Sequence, residues 1–230
     1  IGSTEIKFIP GDIENLELVE DVGTAGSIPL ILQVLIPVIA ISKKQLNLKI
    51  KGGTDVLWSP TIDYTQHVLQ EAYSRMGINF SLELIKRGYY PKGGGEIKLQ
   101  ITPSNVKSIL FLKRKTKQVK LICSFSKFTN NEIINKINKI VKKLTEANYI
   151  VNVEIKSEEA LDSGASLLIY SIDNDSIIGI DALYNKKIDE FDLDLDDFIK
   201  NYSIDDNLAD MLVVPASLAA GKTIFPVKEI

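Results

Sequence analysis

Residues 86–96 read Lys-Arg-Gly-Tyr-Tyr-Pro-Lys-Gly-Gly-Gly-Glu and lie between alternating runs that predict strands at 79–85 and 96–102. The segment is therefore predicted to be a loop at the end of a sheet. Its three successive glycines allow positive φ and bring backbone N–H groups close to any ligand above the loop, while Arg87 and Lys92 add positive charge. Both a phosphate-binding loop and a plain hairpin connection with solvated cations fit this composition.

Two further glycine-rich turns occur earlier in the chain. The first, Asp21-Val-Gly-Thr-Ala-Gly-Ser27, precedes an apolar helix predicted to run to about residue 41, with Ser27 or Thr24 as its cap. The second, Gly52-Gly-Thr-Asp55, follows a predicted strand. Because a helix N-terminus presents unpaired N–H groups and the positive end of the helix dipole, the first turn suits an anion. We expect the three glycine-rich segments to lie on one side of the fold and line a common cleft.

Composition indicates a globular chain with one or two ordinary cores, since 45% of its 230 residues are hydrophobic and 25% are charged. The net charge of −3 argues against non-specific nucleic-acid binding by the whole molecule. The charge is uneven: residues 1–150 carry eight more basic than acidic residues, and residues 151–210 carry twelve more acidic than basic ones. A polyanion is therefore expected to meet the first part, and the acidic run at 189–197 to be solvated surface.

Single residue types give further predictions. The one cysteine, Cys123, lies in a predicted strand and is expected to pack in a core, and the absence of a second cysteine fits a reducing compartment. The one histidine, His67, is predicted to lie on the polar side of a helix at 62–76 as a surface residue. The longest apolar stretch, residues 28–41, is too short to span a bilayer, and no signal peptide opens the chain, so we expect a cytoplasmic location.

The order of predicted elements suggests a repeated unit of two helices and four strands, followed by a second compact α/β unit after Pro103. Pro215 is expected to kink the last predicted helix. In the first part, strands are predicted at 5–10, 16–19, 46–51, 79–85 and 96–102. In the second, strands are predicted at 109–113, 119–125, 150–155, 167–172 and 177–183, a Lys-rich helix at 130–147, a helix from about 205 to 220, and a strand from Thr223.

Together with Leu208-Ala-Asp210, the three glycine-rich segments resemble, in order and spacing, those of RNA 3'-terminal phosphate cyclases. The most specific match is the segment from Arg87 to Gly95. The resemblance covers most of the chain and implies a mixed α/β (α+β) fold with a core of repeated βαβαββ units. That core would comprise residues 1–114 and 205–230, interrupted by a smaller inserted α/β domain at 115–204. The insert, with its acidic surface, is expected to be peripheral to the chemistry.

The resemblance also implies a reaction. ATP adenylates an enzyme histidine, AMP passes to an RNA 3'-phosphate, and the adjacent 2'-hydroxyl attacks that phosphorus to give a 2',3'-cyclic phosphate. The implied cofactors are ATP and a divalent ion, Mg or Mn, and the implied partner is RNA with a 3'-phosphate end. In the family, the nucleophilic histidine lies a few residues beyond position 230 and a Glu-Gly-Gly-Gly motif lies before position 1. No catalytic residue is therefore expected within this sequence.

The binding residues of the family carry over onto two groups. Arg87 and Lys92 are expected to bind the RNA phosphate. At position 207 the family usually has an aromatic residue or a histidine, and at position 211 a glutamine. This chain has Asn207 and Met211, so base stacking and one polar contact differ here. The implied ATP-binding residues are Gln33, Pro60 and Tyr64, the last two near the adenine, and the segment Asn207, Leu208, Ala209, Asp210 and Met211.

Two other functions stay open. One is a non-catalytic cyclase-like paralogue, an RNA- and protein-binding factor of ribosome assembly; the other is an enolpyruvyl transferase, which has related repeats. The pair Tyr89-Tyr90 favours the cyclases, because the paralogues usually alter it.

Overall fold

The computed structural model describes residues 4–9, 11–12, 16–200 and 203–226. A π-helical turn, Thr65–Leu69, joins two short helices, Ile62–Tyr64 and Gln70–Arg75, so residues 62–75 form one continuous helix, here called the central helix. None of the described helices is long and apolar enough to cross a membrane. The elements are β1 (Leu16–Asp21), α1 (Ile28–Ile41), β2 (Leu46–Gly52), α2 (Ile62–Tyr64), α3 (Gln70–Arg75), β3 (Phe80–Lys86), β4 (Gly95–Ile101), β5 (Gln118–Ser126), α4 (Asn130–Glu146), β6 (Ile150–Ser157), β7 (Gly164–Asp173), β8 (Ser176–Asn185), β9 (Glu190–Phe191), α5 (Leu195–Lys200) and α6 (Asp206–Leu218).

The first sheet has the strand order β1-β2-β4-β3. Strand β1 pairs in parallel with β2 across α1, and β4 pairs antiparallel with both β2 and β3. With the central helix between β2 and β3, this is one βαβαββ unit, and the mixed α/β fold class is confirmed. Gly52 lies opposite Gly95 at the end of the β2–β4 ladder, so the register brings two glycine-rich segments to the same edge.

The second sheet has the order β6-β5-β7-β8-β9, with β5 and β6 parallel and the other pairs antiparallel. One face, which includes Leu121 and Ile169, packs with α4 and α5 in its own core. The other face adds Leu168 and Ile177 to the core of the first sheet. Side chains from the second sheet thus belong to the first core as well. The predicted domain boundaries at 115 and 204 stay a prediction.

The central helix lies between the two sheets. A Cβ at Gly179 on β8 would lie 2.8 Å from Cγ2 of Val68 and 2.9 Å from the ring of Tyr64, so only glycine allows this close approach. Val68 and Tyr64 are fully buried. The helix therefore has two buried sides, whereas the sequence predicts a polar side that carries His67.

Local capping matches the sequence. Ser27 Oγ accepts from Leu30 N (3.2 Å) at the start of α1, and Asp205 Oδ1 accepts from Leu208 N (2.9 Å) at the start of α6. Thr129 and Glu132 form a reciprocal capping box on α4.

Three predicted strands differ from the structure. Residues 5–9 form no strand, and Ile6 and Phe8 are 92% and 83% exposed, because no described element pairs with them; residue 10 lies outside the described residues. Residues 109–113 show the buried and exposed alternation of a strand, yet only Leu110 pairs, in an isolated bridge with Ile224. The predicted strand from Thr223 is reduced to that bridge. Strand β9 was not predicted.

Candidate functional site

The three glycine-rich segments pack directly on each other, which confirms that they share one side of the fold. Gly53 N donates to Gly26 O (2.8 Å), and a Cβ at Gly93 would lie 2.8 Å from Cα of Ala25. A Cβ at Gly88 would lie 2.6 Å from Gly52 O. The glycines thus allow backbones to touch, and the N–H groups of Gly53 and Gly93 bond within the protein instead of facing a ligand.

Arg87 is the centre of a buried ionic network, whereas the sequence predicts that it binds the RNA phosphate, with a solvated loop cation as the alternative. Its side chain is 1% exposed. Nη1 donates to Asp55 Oδ2 (3.0 Å), Nη2 donates to both carboxylate oxygens of Asp63 (2.9 and 2.8 Å), and Nε donates to Glu158. Nη2 also donates to Ser124 Oγ on β5 (2.8 Å). Carboxylates that would repel a phosphate occupy the guanidinium.

Burial and ion pairing have opposite effects on the pKa values of this network. Burial opposes the cation of Arg87, yet Asp55 and Asp63 together raise its pKa well above the usual value. Burial raises the pKa of Asp55, although the Arg87 cation acts in the opposite direction. Thr54 Oγ1 donates to Asp55 Oδ2 (2.7 Å), while Asp55 Oδ1 is buried without a hydrogen-bond partner. The network joins the loop after β2, the central helix and the second sheet.

A cleft of about 1080 Å³ adjoins this network. Its walls are the segment from Asp55 to Pro60, the facing sides of α1 and α6, and part of the second sheet. Gln33 lies on α1 in the middle of one wall, and its side chain has no hydrogen-bond partner among the described residues. Five of the predicted ATP-binding residues, which come from three separate elements, line this cleft: Gln33, Pro60, Asn207, Asp210 and Met211.

Four other predicted binding residues lie outside the cleft. Tyr64 is fully buried and its hydroxyl donates to Asp205 Oδ1 (2.7 Å), so it cannot cover a base as predicted. Leu208 is fully buried in the first core and Ala209 packs against that core. Lys92 is exposed and its backbone N donates to Asp162 Oδ2 (2.8 Å), but its side chain does not line the cleft.

The second sheet contributes a large part of the cleft wall, through residues 163–165, 181–187 and 192. Residues of the segment 115–204 therefore line the candidate cleft, and the expectation that this segment is peripheral to the chemistry stays a prediction. Asp181 is half-buried, and its Oδ2 accepts from Thr61 N (2.6 Å) at the start of the central helix. Burial raises the pKa of Asp181 to about 6, although that hydrogen bond opposes the rise.

Sequence reasoning missed four cleft residues. Trp58 and Tyr90 line the cleft with 95% and 73% of their surface exposed, and Lys186 and Lys187 lie on the turn between β8 and β9. Two features of the sequence could have indicated them. Trp58 is the one tryptophan and follows a glycine turn, and the two lysines interrupt an acidic region.

His67 and Cys123 do not line the cleft. His67 is half-buried, not on the open surface as predicted, and stacks on Tyr170 with ring centroids 5.5 Å apart. Burial lowers its pKa. Cys123 is fully buried in the second core, as predicted, and burial raises its pKa to about 12, so the thiol is inert at neutral pH.

Within the described ranges, no group of three or more His, Cys, Asp or Glu residues is placed to hold a metal ion. Asp181, Asp192 and Asp210 do line the cleft. Mg²⁺ commonly binds one or two carboxylates together with substrate phosphates and water. These described side chains therefore do not form a metal cage by themselves.

The fold and the cleft define a mixed α/β protein in which a βαβαββ unit and a second sheet line a large cleft. A family model described as RNA 3'-terminal phosphate cyclase matches residues 1–230. Proteins named RNA 3'-terminal phosphate cyclase from Methanosarcina barkeri and Methanococcoides burtonii are 36% and 34% identical to this chain, matching 100% of it and 70% of each relative. One from Saccharolobus islandicus is 35% identical over 97% of this chain and 69% of its own length. The chain belongs to the RNA 3'-terminal phosphate cyclase family.

Proposed function

We propose that this chain forms the ATP- and RNA-binding cleft of an enzyme that converts an RNA 3'-phosphate to a 2',3'-cyclic phosphate. The observation that carries the proposal is that five predicted ATP-binding residues line one cleft: Gln33, Pro60, Asn207, Asp210 and Met211. The cyclase family model matches the chain throughout. The single cysteine supports a reducing compartment such as the cytoplasm as part of this proposal.

The chemistry explains why a nucleotide is needed. A phosphate monoester is a poor electrophile until it carries a good leaving group, and transfer of AMP from ATP supplies one while releasing pyrophosphate. The 2'-oxygen then forms a new bond to phosphorus as the bond to AMP breaks, and the hydroxyl proton is lost to a base or to water. The described residues are assigned binding and orientation in this sequence, and none is assigned a covalent step.

Each cleft residue has a chemical role that suits ATP. The amide of Gln33 offers both a donor and an acceptor without an internal partner, while Pro60 and Met211 offer apolar surface for a base. The carboxylate of Asp210 would repel phosphates, so we place it at the ribose hydroxyls. A divalent ion, Mg or Mn, would bind through ATP phosphates, since the described side chains form no cage.

The test is conversion by the intact protein of an RNA oligonucleotide ending in a 3'-phosphate, with ATP and either metal. The expected product resists phosphatase and is lighter by one water molecule, and an oligonucleotide ending in a 3'-hydroxyl should be unchanged. RNA binding without ATP binding or conversion would contradict the proposal and would support the non-catalytic paralogue.

A further inference from the structure

Two lysines provide the positive charge of the cleft rim. Among the described residues that line the cleft, the cations are Lys186 and Lys187. Both are exposed on the turn between β8 and β9, and Lys186 Nζ donates to Ser163 Oγ (2.7 Å), which holds the lysine at the rim. Arg87 is buried against carboxylates, so the described cations that line this cleft and are free to meet a phosphate backbone are these two lysines.

Trp58 combines exposure with an unfavourable backbone conformation. It is 95% exposed and has φ of +60°, a left-handed conformation that is rare and strained for a bulky residue. The neighbouring Asp55 and Val56 are buried, which fixes the backbone beneath it. Within the protein, this indole gains little burial to compensate for the strain. Such an arrangement indicates a residue kept for contact with a ligand.

We propose that the single-stranded 3' end of RNA lies across the cleft rim, with bases stacked on Trp58 and Tyr90 and backbone phosphates against Lys186 and Lys187. This inference rests on the proposed function, because it takes RNA as the ligand. Aromatic stacking combined with a cationic groove is the general mode by which proteins bind single strands. The inserted sheet thereby gains a role in RNA binding, although its overall charge is acidic.

Carboxylates also line the cleft and restrict where a phosphate backbone can lie. Asp55 is neutralised by Arg87, but Asp181, Asp192 and Asp210 face the same space. These groups disfavour phosphates beside them, whereas the lysine turn attracts phosphates. The backbone is therefore expected to stay at the edge, and only the terminal nucleotide is expected to reach inward.

The lysines are tested with a fluorescently labelled oligonucleotide ending in a 3'-phosphate, whose affinity is measured by anisotropy at several salt concentrations. For Lys186→Ala/Lys187→Ala, the slope of log K against log salt should fall by about 1.4, since each lost contact to a single strand contributes about 0.7. The matched control is Lys142→Ala/Lys143→Ala on α4, which removes the same charge from the helix on the far face of the second sheet. Equal effects of the two pairs would overturn the proposal.

Trp58 is tested by two substitutions. Trp58→Gly should weaken RNA binding by about five- to a hundredfold without lowering the melting temperature, because glycine adopts positive φ freely. Trp58→Phe should keep much of the affinity. In the wild type, RNA should quench the fluorescence of this one tryptophan.

An ATP titration separates the possible outcomes. We expect the Trp58 and lysine variants to bind ATP like the wild type; loss of ATP affinity with unchanged RNA affinity would show that the indole stacks on adenine and would overturn the inference. If the wild type binds no RNA, the proposed function itself fails. If it binds RNA and all the variants bind equally, only the present inference fails.

Discussion

Arg87 follows β3 in a glycine-rich segment. A cation next to glycines predicts a residue that is accessible to solvent and binds phosphate. In the fold its guanidinium donates to Asp55, Asp63 and Glu158 and is almost inaccessible to solvent. A buried charge is tolerated only when it is paired, and removing one partner leaves the others without compensation. The side chain therefore contributes to stability at the junction of the two sheets.

We expect Arg87→Ala to lower the free energy of unfolding by about 3–5 kcal/mol, because Asp55 and Asp63 would remain buried without a counter-charge. Urea unfolding measures this loss. Lys92→Ala is the matched control, since that side chain is exposed, and it should change the free energy by less than about 0.5 kcal/mol. Similar small effects of both substitutions would contradict the buried network.

Asp181 should make stability depend on pH. Its pKa is raised from 3.8 to about 6, so its ionisation is disfavoured in the folded state. The stability associated with its neutral form is fully present below pH 3.8 and is lost as the pH rises through 6. Asp181→Asn removes this loss and keeps an acceptor for Thr61 N. Relative to the wild type, the variant should gain up to about 3 kcal/mol between about pH 4 and pH 7. Urea unfolding at several pH values measures the gain, and a difference independent of pH would refute it.

Gln33 tests the nucleotide site. Loss of one hydrogen bond to a ligand costs about 0.5–1.5 kcal/mol, so Gln33→Ala should weaken ATP binding roughly three- to tenfold. Isothermal titration of ATP gives the affinity, and Gln100→Ala on the exposed side of β4 is the control. Unchanged affinity in Gln33→Ala would remove this residue from the site.

At the scale of elements, Asp205 connects three parts of the fold. Its carboxylate accepts from Leu208 N at the start of α6, from Tyr64 Oη on the central helix and from Gly179 N on β8. The helix cap thus also fixes the angle between α6, the central helix and the second sheet. This contact places the α6 wall of the cleft.

We expect Asp205→Ala to lower the free energy of unfolding by about 2–4 kcal/mol, which combines a lost helix cap with buried donors left unpaired. Tyr64→Phe removes one of the three donors and should cost only about 1 kcal/mol. Thermal and urea unfolding give these values, with Asp196→Ala at the exposed start of α5 as the control. A loss for Asp205→Ala no larger than that for Asp196→Ala would show that the cap contributes little.

At the scale of the whole molecule, the two sheets share the central helix and the Arg87 network. Leu168 and Ile177 of the second sheet complete the core of the first. We therefore expect a single cooperative unfolding transition, in which the amides of β2 and β5 have similar hydrogen-exchange protection. Exchange measured by mass spectrometry in increasing urea tests this. Early loss of protection in β5 alone would show that the second sheet unfolds independently.

The sequence by itself determined the local features of this protein. The capping box of Thr129 and Glu132, the periodicity of α4 and the alternating strands β2 to β4 depend on neighbours a few residues away, so their patterns predict them. The family motifs also identified five residues of the cleft, because they indicate ancestry and do not require packing to be known. The sequence also predicted that the glycine-rich segments lie together. It did not predict that their glycines allow the backbones to touch.

Only the tertiary structure decided which polar side chains are buried and which surfaces form the cleft. Tyr64 and Arg87 have sequence environments compatible with a ligand site, yet they are covered by strands β5, β7 and β8, which lie distant in the chain. Conversely, residues 5–9 have the apolar alternation of a strand but no described partner. Burial and strand pairing depend on contacts with residues distant in the chain. A local sequence pattern shows only that a residue is able to make such contacts, because the rest of the fold supplies the partner.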